Sequence, residues 1–213
     1  MTKEEKKEFR DDILNRFLSL DYIKPEDIPD IDLYMDQVTT FMDERLSSLK
    51  RRPDDKMLTK TMINNYTKNK LLPSPDKKKY SKEHMLTLIF IYYFKNILSI
   101  NDIASILNPL TDEYFDSKTG DVSLEDIYSE IFTESKDNAD SIGRGILHEY
   151  LKSRKTFEEE KDEKKRKFLN DFSFIAQLSF DIYVKKTIVE SMIDKHILEK
   201  DLGKDKEEDK DKD

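Results

Sequence analysis

Residues 59–98 read TKTMINNYTKNKLLPSPDKKKYSKEHMLTLIFIYYFKNIL, and this stretch decides the fold. From Lys82 onward it is apolar on most sides: Met85, Leu86, Leu88, Ile89, Phe90, Ile91, Tyr92, Tyr93, Phe94, Ile97 and Leu98. A helix without a polar face belongs inside a protein. The spacing therefore predicts a helix over about 82–97, capped by Ser81, as the buried axis of the fold. The first part of the stretch predicts a short helix, Lys60 to Lys68, behind an N-capping Thr59. Ile63 and either Tyr66 or Thr67 face inward, and Lys60, Thr61, Asn64 and Lys68 face outward. Pro73 and Pro75 forbid helix between the two. Lys77 to Tyr80 reads as the return arm of a small hairpin.

Upstream, Phe9, Ile13, Leu14, Phe17 and Leu18 recur at helical spacing and predict a helix over about 3–19. A loop with Pro25 and Pro29 follows. Ile31, Tyr34, Val38, Phe41, Met42, Leu46 and Leu49 mark a second amphipathic helix over about 31–49. Downstream, Ser99 caps a short helix holding Ile103, Ile106 and Leu107, which Pro109 is expected to end. Residues 110–122 read as a loop with Gly120 in a turn. Ser123 then caps a helix over about 124–134. A helix over about 140–154, a charged link at 155–167 that reads as a solvated helix or hinge, and a long helix over about 164–198 complete the body. From Lys204 to Asp213 every residue is charged, which predicts a disordered tail. The expectation is an all-α, multi-helix protein with a small winged hairpin and a long C-terminal helix. Its parts would be N-terminal helices at 1–58, a winged segment at 59–109, a helical dimerisation or effector region at 110–202, and the tail at 203–213.

Charge is unevenly spread. Residues 50–82 hold eleven basic side chains against three acidic ones, in a chain whose net charge is −8. Positive charge gathered in one place is the electrostatic footprint of a polyanion-binding face. The local field decides binding, since charges more than about 10 Å apart are screened at ordinary salt. Composition also excludes much. There is no cysteine, so disulfides, thiolate metal sites and cysteine nucleophiles are absent. The four glycines all follow residue 119, so neither a P-loop nor a dinucleotide fingerprint exists. His84, His148 and His196 are far apart and lack ligand spacing. No constellation supports an enzyme, and no cofactor or metal is called for. Met1 to Arg10 lacks an apolar signal region, and Met85–Phe94 is shorter than the ~20 residues a membrane span needs. The expectation is a cytoplasmic protein with no membrane partner.

The stretch Thr59 to Pro73 resembles the recognition helix and wing approach of MerR-type regulators. Lys79-Tyr80-Ser81, the leucine and isoleucine spacing through Leu88 and Ile91, Lys95, and Ser99-Ile100-Asn101-Asp102-Ile103 with Leu107 are similar to that family's wing and following helices. Residues 5–200 as a whole resemble a bacterial family known only as domain of unknown function 1836, which carries this MerR-like segment. The resemblance implies that the short helix enters the major groove and the wing contacts the phosphate backbone. Thr59 matches the family's capping serine. Asn64 stands where a phosphate- or base-contacting arginine is common, and Asn65 and Tyr66 stand at a tyrosine pair, of which one is lost. Lys70 replaces the usual glycine and has to accept a left-handed conformation or shift the turn. The usual first helix of the motif is not recognisable just upstream, and the helix at 31–49 would substitute for it.

Chemistry agrees with that implication. Asparagine amides at 64 and 65 can read adenine in the major groove, and Lys77, Lys78 and Lys79 can neutralise phosphates without regard to sequence. The same residues also suit a plain solvated helix face and loop. The candidate DNA-binding residues are Thr59, Lys60, Thr61, Asn64, Asn65, Tyr66, Lys68, Lys77, Lys78, Lys79 and Tyr80. The expected function is a sequence-specific regulator of transcription that binds double-stranded DNA as a homodimer, with the small-molecule effector unknown. The alternative is a protein–protein adaptor that keeps the fold and has left DNA.

Overall fold

The computed structural model describes residues 7, 11, 12, 23–50, 52, 54–116 and 122–208, without the side chains of 135–137, 139, 140 and 197–208. The helix expected over 3–19 lies outside these residues except at 7, 11 and 12, which are helical, and Gly120 lies outside them too. Seven α-helices and one two-stranded sheet make up the described chain, so the protein is all-α as expected. The elements in order are β1 (Leu33–Tyr34), α1 (Met35–Arg45), α2 (Lys60–Lys68), β2 (Lys79–Tyr80), α3 (Lys82–Phe94), α4 (Ile100–Tyr114), α5 (Leu124–Asp137), α6 (Ala139–Ser153) and α7 (Glu163–Glu208). Among the described residues, 23–130 with 186–208 gather in one compact unit and 131–185 in a second.

In the first unit α3 is the axis. Every residue from His84 to Tyr92 is buried, which leaves no face for solvent. Phe90 meets Tyr128 of α5 edge-on at 5.4 Å. The Tyr128 hydroxyl donates to the Ile23 carbonyl at 2.6 Å and so ties down the start of the unit. Near the end of α3 the Lys95 ammonium donates to the Met57 carbonyl at 2.8 Å. It also lies 5.0 Å from the Tyr92 ring centre. This fixes the segment that leads into α2. Burial holds the Lys95 ammonium below its ordinary pKa.

Three elements depart from the sequence expectation. The helix expected over 31–49 is α-helical only from Met35 to Arg45 and ends in a 3-10 turn at Ser47–Leu49. Leu33 and Tyr34 instead form β1, with Leu33 opposite Tyr80 and Tyr34 opposite Lys79. The Gln37 side chain accepts the Tyr34 N–H at 2.8 Å, so α1 starts at the strand's end. Pro109 does not end its helix: α4 runs through it to Tyr114, five residues into the expected loop. A proline removes one ladder hydrogen bond. Here Leu107 and Thr111 are buried on either side of it, and the Thr111 hydroxyl donates to the Leu107 carbonyl at 3.0 Å. Finally, α7 runs to Glu208, inside the run for which disorder is expected, with 209–213 outside the described residues. Lysine and glutamate are good helix formers and need no core.

The second unit is built around α6 and the first half of α7. Tyr150 meets Phe174 edge-on at 5.2 Å. Arg154 covers the Tyr150 ring at 4.5 Å and pairs with Asp171 at 2.5 Å. The link between the helices is not helical, and Asp162 closes it by accepting the N–H groups of Lys164 and Lys165 at 2.9 and 3.1 Å.

Candidate nucleic-acid interface

Helix α2 follows its sequence expectation residue by residue. The Thr59 hydroxyl accepts the Met62 N–H at 3.2 Å, satisfying one of the free amides of the first turn. Ile63 is fully buried, and Tyr66 is 8% exposed. Lys60, Thr61, Asn64, Asn65 and Lys68 are exposed. Positions 61, 64, 65 and 68 have the three- and four-residue spacing of one helix face. Among the described residues the Asn64 and Asn65 side chains have no hydrogen-bond partner.

The helix ends in a Schellman motif. The Leu71 N–H donates to the Tyr66 carbonyl at 2.8 Å, and the Lys70 N–H donates to the Thr67 carbonyl at 3.1 Å. Lys70 sits in the left-handed region at φ 58°, the conformation required of it in place of glycine. Leu71 and Leu72 then enter the core at 1% exposure, so the turn cannot shift.

The wing tip is a tight turn. The Lys79 N–H donates to the Asp76 carbonyl at 2.8 Å, and Lys77 and Lys78 between them have φ of 47° and 66°. Two positive φ values in succession mark a type I′ turn, which glycine and asparagine normally occupy. The sequence expectation of a self-contained hairpin is met only by the Asp76–Lys79 bridge, because β2 pairs with β1. Lys79 is half-buried with its ammonium 5.5 Å from the Tyr34 ring centre. Tyr80 is 3% exposed and anchors the wing in the core. Burial raises the pKa of both Tyr66 and Tyr80. These two tyrosines brace the face from within and do not lie on it.

Charge on this face is mostly unpaired. Among the described residues Lys68, Lys70, Lys77 and Lys78 are exposed and form no ion pair. Lys60 pairs with Asp36 of α1. Lys82 turns away, toward Glu125 at 2.9 Å and Asp30 at 3.6 Å. Burial opposes its charge, but these two carboxylates outweigh that and hold its pKa above the ordinary value. Residues 23–132 match the family described as Domain of unknown function (DUF1836).

The chain belongs to that family. No curated protein and no solved structure matches it. The DUF1836 span is narrower than the 5–200 suggested by the sequence. It holds the whole basic face and its scaffold and ends within α5.

Sequence reasoning missed two parts of this candidate face. Lys70 is exposed and free beside Lys68, yet its place in the motif points only to its backbone. Tyr34 steadies Lys79 from a strand of two residues, too short to show an alternating pattern. His84 lies behind the wing, buried, with Tyr80 edge-on at 5.4 Å and Phe115 at 4.7 Å. Its Nδ1 accepts the Ser81 N–H at 3.0 Å. Burial pushes its pKa down, against the opposing pull of the Ser74 carbonyl and of Glu83, Asp32 and Asp116. His148 and His196 are exposed. No group of three or more metal-ligating side chains exists among the described residues, and no helix there is long and apolar enough to cross a membrane.

Proposed function

We propose that this DUF1836 protein is a sequence-specific, MerR-like DNA-binding regulator of transcription that acts as a homodimer. The observation that carries the reading is the α2 face, where Asn64 and Asn65 present free amides between the exposed Thr61 and Lys68. Fully buried Ile63 on the opposite side holds this face rigid. An α-helix fits the major groove, where paired amides read adenine. The wing tip adds the unpaired Lys77 and Lys78, and lysines there serve as phosphate contacts that set register without reading sequence. Two copies would place two such helices on half-sites one helical turn apart.

One observation favours the alternative of a protein–protein adaptor. Lys60 is engaged by Asp36, which takes one cation off the face and adds an exposed carboxylate beside it. Fluorescence anisotropy on duplexes from the gene's own upstream region, over a salt series, separates the two readings. Replacing Lys77, Lys78 and Lys79 by alanine should weaken binding to all sequences. It should also flatten the salt dependence by roughly 0.9 logarithmic units for each phosphate that is no longer neutralised. Asn64→Ala or Asn65→Ala should leave that slope unchanged and cost about 1–3 kcal/mol on the preferred site alone. Wild-type affinity no better than the ~10⁻⁴ M non-specific level would overturn the DNA reading in favour of the adaptor.

A further inference from the structure

His84 is 5% exposed and lies directly behind the wing, whose tip at Lys77 and Lys78 is open to solvent. Three neighbours enclose the ring. Tyr80 of β2 and Phe115 at the end of α4 meet it edge-on at 5.4 and 4.7 Å. The Ser81 N–H donates to its Nδ1 at 3.0 Å, which places the single proton of the neutral ring on Nε2. Nε2 is buried and makes no hydrogen bond, although the Ser74 carbonyl in the wing's other arm is near enough to favour a charged ring. Glu83 on its own helix, Asp32 ahead of β1 and Asp116 beyond α4 favour charge too, and burial outweighs all four. Among the described residues none of these carboxylates forms an ion pair with the ring.

We propose that His84 is an acid-operated latch on the wing: a proton taken up at its Nδ1 frees the wing from the helices behind it. The proton comes from solvent and occupies the lone pair that accepts the Ser81 N–H, so two N–H groups then oppose each other. The Ser81 hydroxyl, also 3.0 Å from Nδ1, can turn to accept the new proton, but the backbone donor is left over. A buried imidazolium without a paired carboxylate has to regain water. Strand β2 is the cover that yields most easily. It is held by a two-residue ladder, one buried side chain and the Asp76–Lys79 turn bond, whereas Phe115 continues the hydrogen-bonded last turn of α4. Segments with so few backbone bonds open locally. The sign follows from the lowered pKa of the enclosed ring. Closure is fully supported above the ordinary value of 6.5, and opening grows as pH falls from there through the closed-state value, by up to tenfold for each pH unit. An open wing no longer fixes Lys77 and Lys78 relative to α2. That consequence for duplex binding rests on the proposed function; the latch itself does not.

Hydrogen–deuterium exchange on the full chain from pH 7.5 to 4.5, corrected for the pH dependence of free-amide exchange, tests the latch without DNA. Residues 73–81 should lose protection by up to tenfold per unit below pH 6.5, while α6 keeps its own. His84→Gln retains an acceptor for the Ser81 N–H and cannot take up the proton, so its wing should not respond to pH. If that variant does not fold, the wild-type His84 ring decides the matter by nuclear magnetic resonance, because its titration midpoint should coincide with the loss of wing protection. Wing protection independent of pH, a response that persists in folded His84→Gln, a ring midpoint away from the wing transition, or a loss confined to the end of α4 overturns the proposal. Anisotropy over the same pH range reads the consequence. Wild-type affinity for a duplex should fall in acid, although the added positive charge alone would tighten binding. A wing that opens in acid on a protein that binds no duplex at any pH removes the DNA reading and leaves the latch. Duplex binding with a wing indifferent to pH does the reverse.

Discussion

Lys70→Gly should stabilise the protein, and the reasoning can be followed to a number. Lys70 holds φ at 58° because the Schellman turn after α2 demands it and the buried Leu71 and Leu72 pin the chain beyond. A side chain in the left-handed region costs ~1–2 kcal/mol. Glycine removes that cost but gives the unfolded chain about 0.5–1 kcal/mol of extra entropy. The net gain is roughly 0.5–1 kcal/mol, or about 1–4 °C in Tm for a chain of this size. Lys70→Ala is the control, since alanine keeps its Cβ and the strain while losing the charge. Thermal melts followed by circular dichroism, with urea titrations for free energies, should show the glycine variant above the wild type and the alanine variant close to it. If both rise together, the effect belongs to the ammonium. If the glycine variant falls, the turn is not held left-handed and the register after α2 is wrong.

Other substitutions probe separate links. Thr59→Ala removes the acceptor of the Met62 N–H and should cost ~1 kcal/mol in the same titration, while Thr59→Ser should cost little. Tyr128→Phe leaves the Ile23 carbonyl without its buried donor and should cost about 1–3 kcal/mol; no change would mean water reaches that carbonyl. His84 should make stability fall in mild acid. Its folded pKa is depressed, so its contribution is complete above the ordinary value of 6.5 and is lost as pH falls from there through the folded pKa. His84→Gln keeps a side-chain acceptor for the cap, and urea midpoints from pH 7.5 to 4.5 should lose that histidine's part of the slope. An unchanged slope assigns it to the carboxylates.

What was legible in the sequence was local. Thr59, the Lys60–Lys68 helix and the inward Ile63 all depend on residues within one or two turns, whereas at Lys70 the sequence leaves a left-handed residue and a shifted turn both open. The buried axis was legible because α3 offers no polar face. The rest depends on distant partners. Tyr34 has helical spacing with Val38 and Phe41, yet it and Leu33 pair with residues on the far side of α2. Pro109 obeys a local rule that the burial of Leu107 and Thr111 overrides. In α7 the periodicity shows apolar faces, but it cannot say whether they pack within the chain or stay exposed, as Phe168 and Phe180 do. In the site, the outward face of α2 could be read directly. The Asp36 contact to Lys60 and the Tyr34 support of Lys79 come from elements adjacent only in the folded chain.

The pairing of β1 with β2 has a consequence for the order of assembly. Each strand is two residues long, and together they join the ends of a loop containing α1 and α2. Closing a loop costs entropy before any contact repays it, and so short a ladder cannot nucleate alone. The ladder can therefore form only after α1, α2 and α3 have collapsed together. On the ribosome the ladder that closes the wing cannot form until Tyr80 has been made and can reach Leu33. The wing is thus a late product of folding, and mutations at its tip should leave the folding rate unchanged and act on unfolding alone.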